Sequence, residues 1–187
     1  MDIELPTLTI IDLQKGMATP AAGPRNNPDA ERNIERLLSA WRKAGAVVVH
    51  VRHMSRTIGS PFWPGQPGAQ FQEALAPLTT EHVVEKNVPD AFANSALERW
   101  LRVRDITKLA IVGVSTNNSV EATARSAGCL GFAVQVVSDA TFAFDKVDYS
   151  GVRRTADEVH AMSLANLEGE YAAITNTRRL LDAIAGL

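Results

Sequence analysis

The chain has 187 residues, of which 45% are hydrophobic and 21% charged, and its formal net charge is −2. That size suits one compact domain over residues 1–187, and the near-neutral charge speaks against a nucleic-acid binder. No apolar run reaches membrane-span length, no basic signal-like segment opens the chain, and a lone Cys129 excludes a disulfide framework, so a soluble, cytoplasmic protein is predicted.

The first apolar run, Leu8–Leu13, reads as a strand and leads into a loop rich in Pro, Gly and Asn. The next stretch predicts a helix with Asn27 as cap, Pro28 at its first position and Gly45 at its end. Ala46–Met54 is nearly continuous in Val, as a strand covered on both faces should be. A Gly- and Pro-dense loop carrying Phe62 and Trp63 follows. His82–Lys86 predicts a short strand, "NSALERWLRVR" a helix capped by Asn94, and Lys108–Val114 another buried strand. A helix then runs from about Ser119 to Gly131, and "FAVQVVSDA" makes a fifth strand. Thr155 and Glu158 stand at capping-box spacing at the head of a helix closed by Gly169. "YAAIT" and "NTRRLLDAIAGL" add a sixth strand and a last helix. This alternation predicts a three-layer αβα domain around a mostly parallel six-stranded sheet, Rossmann-like in outline.

In such a sheet, ligands bind beyond the carboxyl ends of the strands. The first strand delivers Asp12 there, the third Lys86, and the fourth Ser119 at a helix entrance. A carboxylate, an ammonium and a hydroxyl meeting at one rim could support acyl chemistry on a small-molecule substrate. Each also has a plainer role: Asp12 as a turn former, Lys86 as a solvated lysine, Ser119 as a helix cap. Backbone N–H groups from Ser115 to Ser119, at the strand-to-helix turn, are candidate oxyanion donors. His53, near a strand end, could reach the mouth of the pocket, with Phe62, Trp63, Phe92 and Asn118 as further candidate pocket residues. His50 and His53 are three apart on a strand and so face opposite ways, which predicts no metal site. Neither a dinucleotide fingerprint nor a phosphate loop occurs, and no cofactor is expected. His82 and His160 read as structural or surface residues.

The segments "IIDLQKGM", "VVVHVRH", "EKNVPDAFANSALERWL", "IVGVSTNNSVEATARSAGCLGF" and "VVSDATFAF" together resemble the isochorismatase-like (cysteine hydrolase) superfamily along essentially the whole chain. The resemblance implies that Asp12, Lys86 and Ser119 occupy the family's Asp, Lys and nucleophile positions. It also implies a non-proline cis peptide joining Val114 and Ser115, and a homodimer or homotetramer. Its chemistry would be C–N hydrolysis of small amides or, as in isochorismatase itself, cleavage of a vinyl ether. The chain departs from the amidase members in having serine where they have cysteine, by nature or by replacement, and a catalytically silent binding protein is a further reading. Cys129 cannot substitute: ten residues of helix place it about 15 Å along the axis, where a small buried hydrophobe is expected.

Overall fold

A computed structural model describes residues 5–186. Residues 1–4 and 187, and with them both ends of the expected 1–187 domain and the tip of its last helix, lie outside the described residues. In chain order the elements are β1 (Thr7–Ile11), α1 (Ala30–Lys43), β2 (Val48–His53), β3 (His82–Lys86), α2 (Leu97–Arg102), β4 (Lys108–Val114) and α3 (Glu121–Cys129). β5 (Ala133–Phe142), β6 (Lys146–Val147), β7 (Arg153–Arg154), α4 (Ala156–Leu167), β8 (Ala173–Thr175) and α5 (Thr177–Ala185) follow. Six strands form one parallel sheet in the order β3-β2-β1-β4-β5-β8. The chain winds outward from β1 through β2 to β3, then crosses back to β4 and continues the other way. The reversal falls between β1 and β4, which is where an open parallel sheet forms its ligand crevice.

Strand side chains alternate between two apolar layers, as a period of two requires. Leu8, Ile10, Ala110, Val112 and Val114 pack with Ile34, Leu37, Leu38 and Trp41 of α1 and with Leu180 of α5. Ile11, Val49, Val51, Leu109 and Ile111 face the other way, onto Leu97, Leu101, Ala124, Ala127 and Leu167 of α2, α3 and α4. The buried stripe of α1 falls at Ala30, Ile34, Leu37, Leu38 and Trp41, the spacing of one helical face. Trp41 is wholly buried and its indole N–H donates to the Pro6 carbonyl at 2.7 Å. Truncating such a side chain to alanine costs about 3–5 kcal/mol.

Local chemistry explains where the elements depart from expectation. Asn27 does not cap α1. It takes a left-handed conformation (φ 45°), and its amide donates to the carbonyls of Ser138 and Thr141 at 2.8 and 2.7 Å. Those carbonyls belong to an irregular stretch of β5, where the register against β4 jumps from Ile111↔Val136 to Gly113↔Thr141. The side chain is thus spent on groups that the broken ladder leaves unpaired. Asn94 is likewise left-handed (φ 57°), and it is Ser95 whose hydroxyl accepts the Leu97 N–H at 3.1 Å. Cys129 is exposed, not buried: it closes α3 two residues beyond Ala127, on the side away from the Thr123–Ala124–Ala127 stripe. The Thr155–Glu158 capping box is present. β6 and β7 pair as a small antiparallel hairpin, outside the β-α alternation that the sequence predicts.

Candidate active site

Three backbone features shape the rim where β1 and β4 end. Asp12 is left-handed (φ 53°), and its carbonyl accepts the Gln14 N–H at 2.8 Å, so the chain turns sharply as it leaves β1. Asp tolerates this region better than most residues, and its use here matches a position whose side chain must be aimed. Gly113 (φ 121°) runs so close to Ile11 that a Cβ would overlap the Ile11 carbonyl, which only glycine avoids. The Val114–Ser115 peptide is cis. Beyond it Thr116–Val120 form a wide turn, with the Val120 N–H reaching back to the Ser115 carbonyl at 3.2 Å, and α3 continues from there.

The side chains of Asp12, Lys86 and Ser119 meet at this rim. Lys86 leaves the end of β3, opposite His53 of β2, and passes over β2 to reach the end of β1. Its ammonium donates to Asp12 Oδ2 at 2.6 Å and to Ser119 Oγ at 3.2 Å. The Lys86 and Asp12 side chains are 0% and 1% exposed, and Ser119 is 6% exposed. Ser119 is not a helix cap. It is the fourth residue of the wide turn, and its hydroxyl faces the sheet rather than the free amides of a helix end.

The electrostatics follow from depth. Burial raises the Asp12 carboxyl above its ordinary value, and this outweighs the opposing pull of Lys86, Ser119 and His53. Asp12 Oδ1 is buried without a hydrogen-bond partner. The neighbouring His53 is held below the usual imidazole range, first by burial and then by the Lys86 charge. Its ring meets Phe62 edge to face, with centroids 6.2 Å apart. Phe62 also lies against Gly16, where a Cβ would come within 2.7 Å of the ring.

Trp63 sits in the turn after Phe62, its N–H bonded to the Ser60 carbonyl. Phe92 packs on Phe132, ring centroids 5.7 Å apart, in the layer under α2 and α3. Asn118 is exposed on the outside of the wide turn. His50 points away from the rim, buried against Glu81 at 2.9 Å. Among the described residues, no cluster of three or more His, Cys, Asp or Glu could hold a metal ion.

Several residues that the sequence reading passed over hold the rim in place. Gln14 is fully buried: its amide donates to the carbonyls of His53 and Ala69, and its Oε1 accepts the His53 N–H at 2.8 Å. The loop that follows Lys86 is tied to α3, with the Ala91 N–H on Thr123 Oγ1 and Ser126 Oγ donating to Asp90. α3 therefore anchors both the turn bearing Ser119 and the segment that fixes Lys86. A Gln two residues after the strand-end Asp was the one signal in the sequence that could have pointed to this bracing.

A family model for the isochorismatase domain matches residues 6–179. The chain belongs to the isochorismatase family. The crystal structure of an isochorismatase-family protein from Chromobacterium violaceum is 45% identical and superposes with a TM-score of 0.96, covering all of this chain and 97% of that one. The isochorismatase family protein YrdC of Bacillus subtilis is 36% identical over 96% of both chains. Maleamate amidohydrolase of Pseudomonas putida is 29% identical over 72% of this chain and 70% of its own length. Membership of the isochorismatase family, with an amidohydrolase among the relatives, supports a hydrolase. No helix among the described residues is long and apolar enough to cross a membrane.

Proposed function

We propose that the protein hydrolyses a C–N bond of a small amide through an acyl-enzyme on Ser119, with Asp12 and Lys86 as its partners. One observation carries this reading: the Ser119 hydroxyl lies 3.2 Å from a buried ammonium that is itself 2.6 Å from a carboxyl with one oxygen free. A serine keeps its proton and needs a base. Burial brings the Asp12 carboxyl nearer to working pH, which makes it a better base than a solvated aspartate.

In this scheme Ser119 Oγ attacks the amide carbon while its proton passes to the Asp12 carboxylate. The C–N bond breaks, and the leaving amine takes that proton from Asp12. Water then attacks the ester and gives a proton to Asp12, and Ser119 recovers its own as the acid departs. Lys86 offsets negative charge at Asp12 and at Ser119 throughout. The N–H groups of Asn118 and Val120 are already bonded to the Ser115 carbonyl, which leaves those of Ser115, Thr116, Asn117 and Ser119 as candidates for the oxyanion role. The likeness to maleamate amidohydrolase supports an amide substrate.

A second reading rests on the raised Asp12 carboxyl. A carboxylic acid that holds its proton could protonate the alkene carbon of a vinyl ether while water attacks, with Ser119 only orienting the reactants. Release of amine or ammonia from a panel of small amides, compared with turnover of isochorismate, tests both. Amide turnover that falls at least about 10³-fold in Ser119→Ala supports the acyl-enzyme; amide turnover unchanged in that variant rules it out. Isochorismate cleavage that persists in Ser119→Ala supports the second reading. Inactivity of the wild-type protein on every substrate would leave the fold serving as a binding module.

A further inference from the structure

α4 holds the outer side of the turn that presents Ser119, and it does so with polar groups. Thr116, the first residue of the turn, is fully buried, and its Oγ1 lies 2.8 Å from His160 Nδ1. One helical turn further along α4, Ser163 Oγ sits 2.9 Å from the Thr116 carbonyl and 2.7 Å from Glu121 Oε2. Glu121 is held in turn by Arg125, whose Nη2 lies 2.8 Å from Oε1. His160 and Ser163 are three apart on a helix and so share one face, which is aimed at Thr116.

A turn closed by an i→i−5 bond is rare, and single turns of this kind recur at functional sites inside α-helices. Here the wide spacing puts the Ser119 hydroxyl on the sheet side, over Lys86, while Thr116 faces α4. Relaxation to ordinary α spacing would rotate Ser119 relative to Lys86. The Thr116–His160 contact resists that rotation, and its depth makes it costly to break, because either polar group left alone in the interior would lack a partner. Burial also keeps the His160 ring below the usual imidazole range.

We infer that His160 and Thr116 are positioning residues, which lock the rotation of the wide turn and so keep the side chain at position 119 on the Lys86 ammonium. The inference rests on the proposed role of Ser119 for its meaning, but its test does not need the natural substrate. In a Ser119→Cys background, alkylation by iodoacetamide is followed separately at positions 119 and 129 by peptide mapping. The exposed Cys129 at the far end of α3 serves as the internal reference.

Thr116→Val removes the hydroxyl at nearly constant shape, and His160→Leu removes the ring nitrogens. Each is expected to slow modification at 119 relative to 129 by about tenfold, the order of effect that small misplacements of a reacting group produce. The double variant should be no worse than either single one, and His160→Asn, which keeps a polar atom near the Nδ1 position, should restore most of the rate. Hydrogen exchange in the segment 115–120 should rise in the same two variants and fall back in His160→Asn. If His160→Leu does not fold, Thr116→Val carries the test alone. Unchanged modification and unchanged exchange in Thr116→Val would overturn the inference, whereas amide turnover surviving in Ser119→Ala would overturn only the proposed chemistry.

Discussion

Two carboxylate–cation centres stand at either end of β3, and they are built to opposite ends. Glu81, just ahead of β3, receives the Arg42 guanidinium in a two-pronged grip, at 2.8 and 2.9 Å, together with the Leu78 N–H and His50 Nε2. Those partners overcome burial and hold its carboxyl down at about 2. Asp12 has one close ammonium, a neighbouring serine and a free oxygen, and burial wins, raising its carboxyl. A carboxylate with every lone pair engaged is a fastener; one left short of partners, beside a hydroxyl, is equipped to exchange a proton. The completeness of the partners separates the two, and depth adds to it, since Asp12 is fully buried and Glu81 only partly so.

Activity should separate the two centres most sharply. Asp12→Asn is expected to lower turnover by about 10²–10⁴-fold, the usual span for a lost acid–base group. Glu81→Gln should change kcat by no more than about twofold, and a comparable loss in both variants would erase the distinction. Stability should move the other way. Glu81→Gln leaves Arg42 without its anion and should cost roughly 3 kcal/mol in urea unfolding. Replacing both partners at the rim, Asp12→Asn with Lys86→Met, should be neutral or stabilising by up to about 4 kcal/mol, because a buried ion pair seldom repays its desolvation. A large destabilisation in that double variant would mean that the rim pair is itself a fastener.

The smallest effect expected is in the pH profile. The Glu81 carboxyl is depressed in the folded protein, so its contribution is complete above its ordinary value of 4.5 and is lost as pH falls toward about 2. The Asp12 carboxyl is raised, so its contribution is greatest below its ordinary value and declines as pH rises through the folded one. Glu81→Gln should therefore flatten the acid limb of stability, and Asp12→Asn should remove a loss that sets in above the ordinary carboxylate value. Thermal midpoints recorded between pH 3 and 8 would show both slopes.

Much of this molecule could be read from its sequence because the relevant signals are local. Val-rich runs, Gly45 after a helix and the Thr155–Glu158 spacing each act over a few residues, and they delimit the elements well. The Asp12–Lys86–Ser119 grouping could be anticipated from strand-end logic and from family resemblance, because Asp12 directly follows β1, Lys86 ends β3 and Ser119 stands in the turn after β4. What escaped was long-range bracing. Asn27 and Asn94 look like caps, yet the Asn27 amide serves carbonyls more than a hundred residues away in β5. His160 carries no local mark of its partner Thr116, 44 positions earlier. Cys129 reads as a core residue by composition and is placed in solvent by the phase of its helix. Local chemistry names the donors and acceptors, and only tertiary structure pairs them.

Lys86 belongs to β3, the outermost strand on its side of the sheet, and its ammonium must span β2 to reach Asp12. A five-residue margin with Val83 and Glu85 facing water can fray long before the interior melts. On the proposed mechanism, catalytic competence thus becomes hostage to the least secure hem of the fabric. Low urea should silence the enzyme while its circular dichroism is still that of an intact protein.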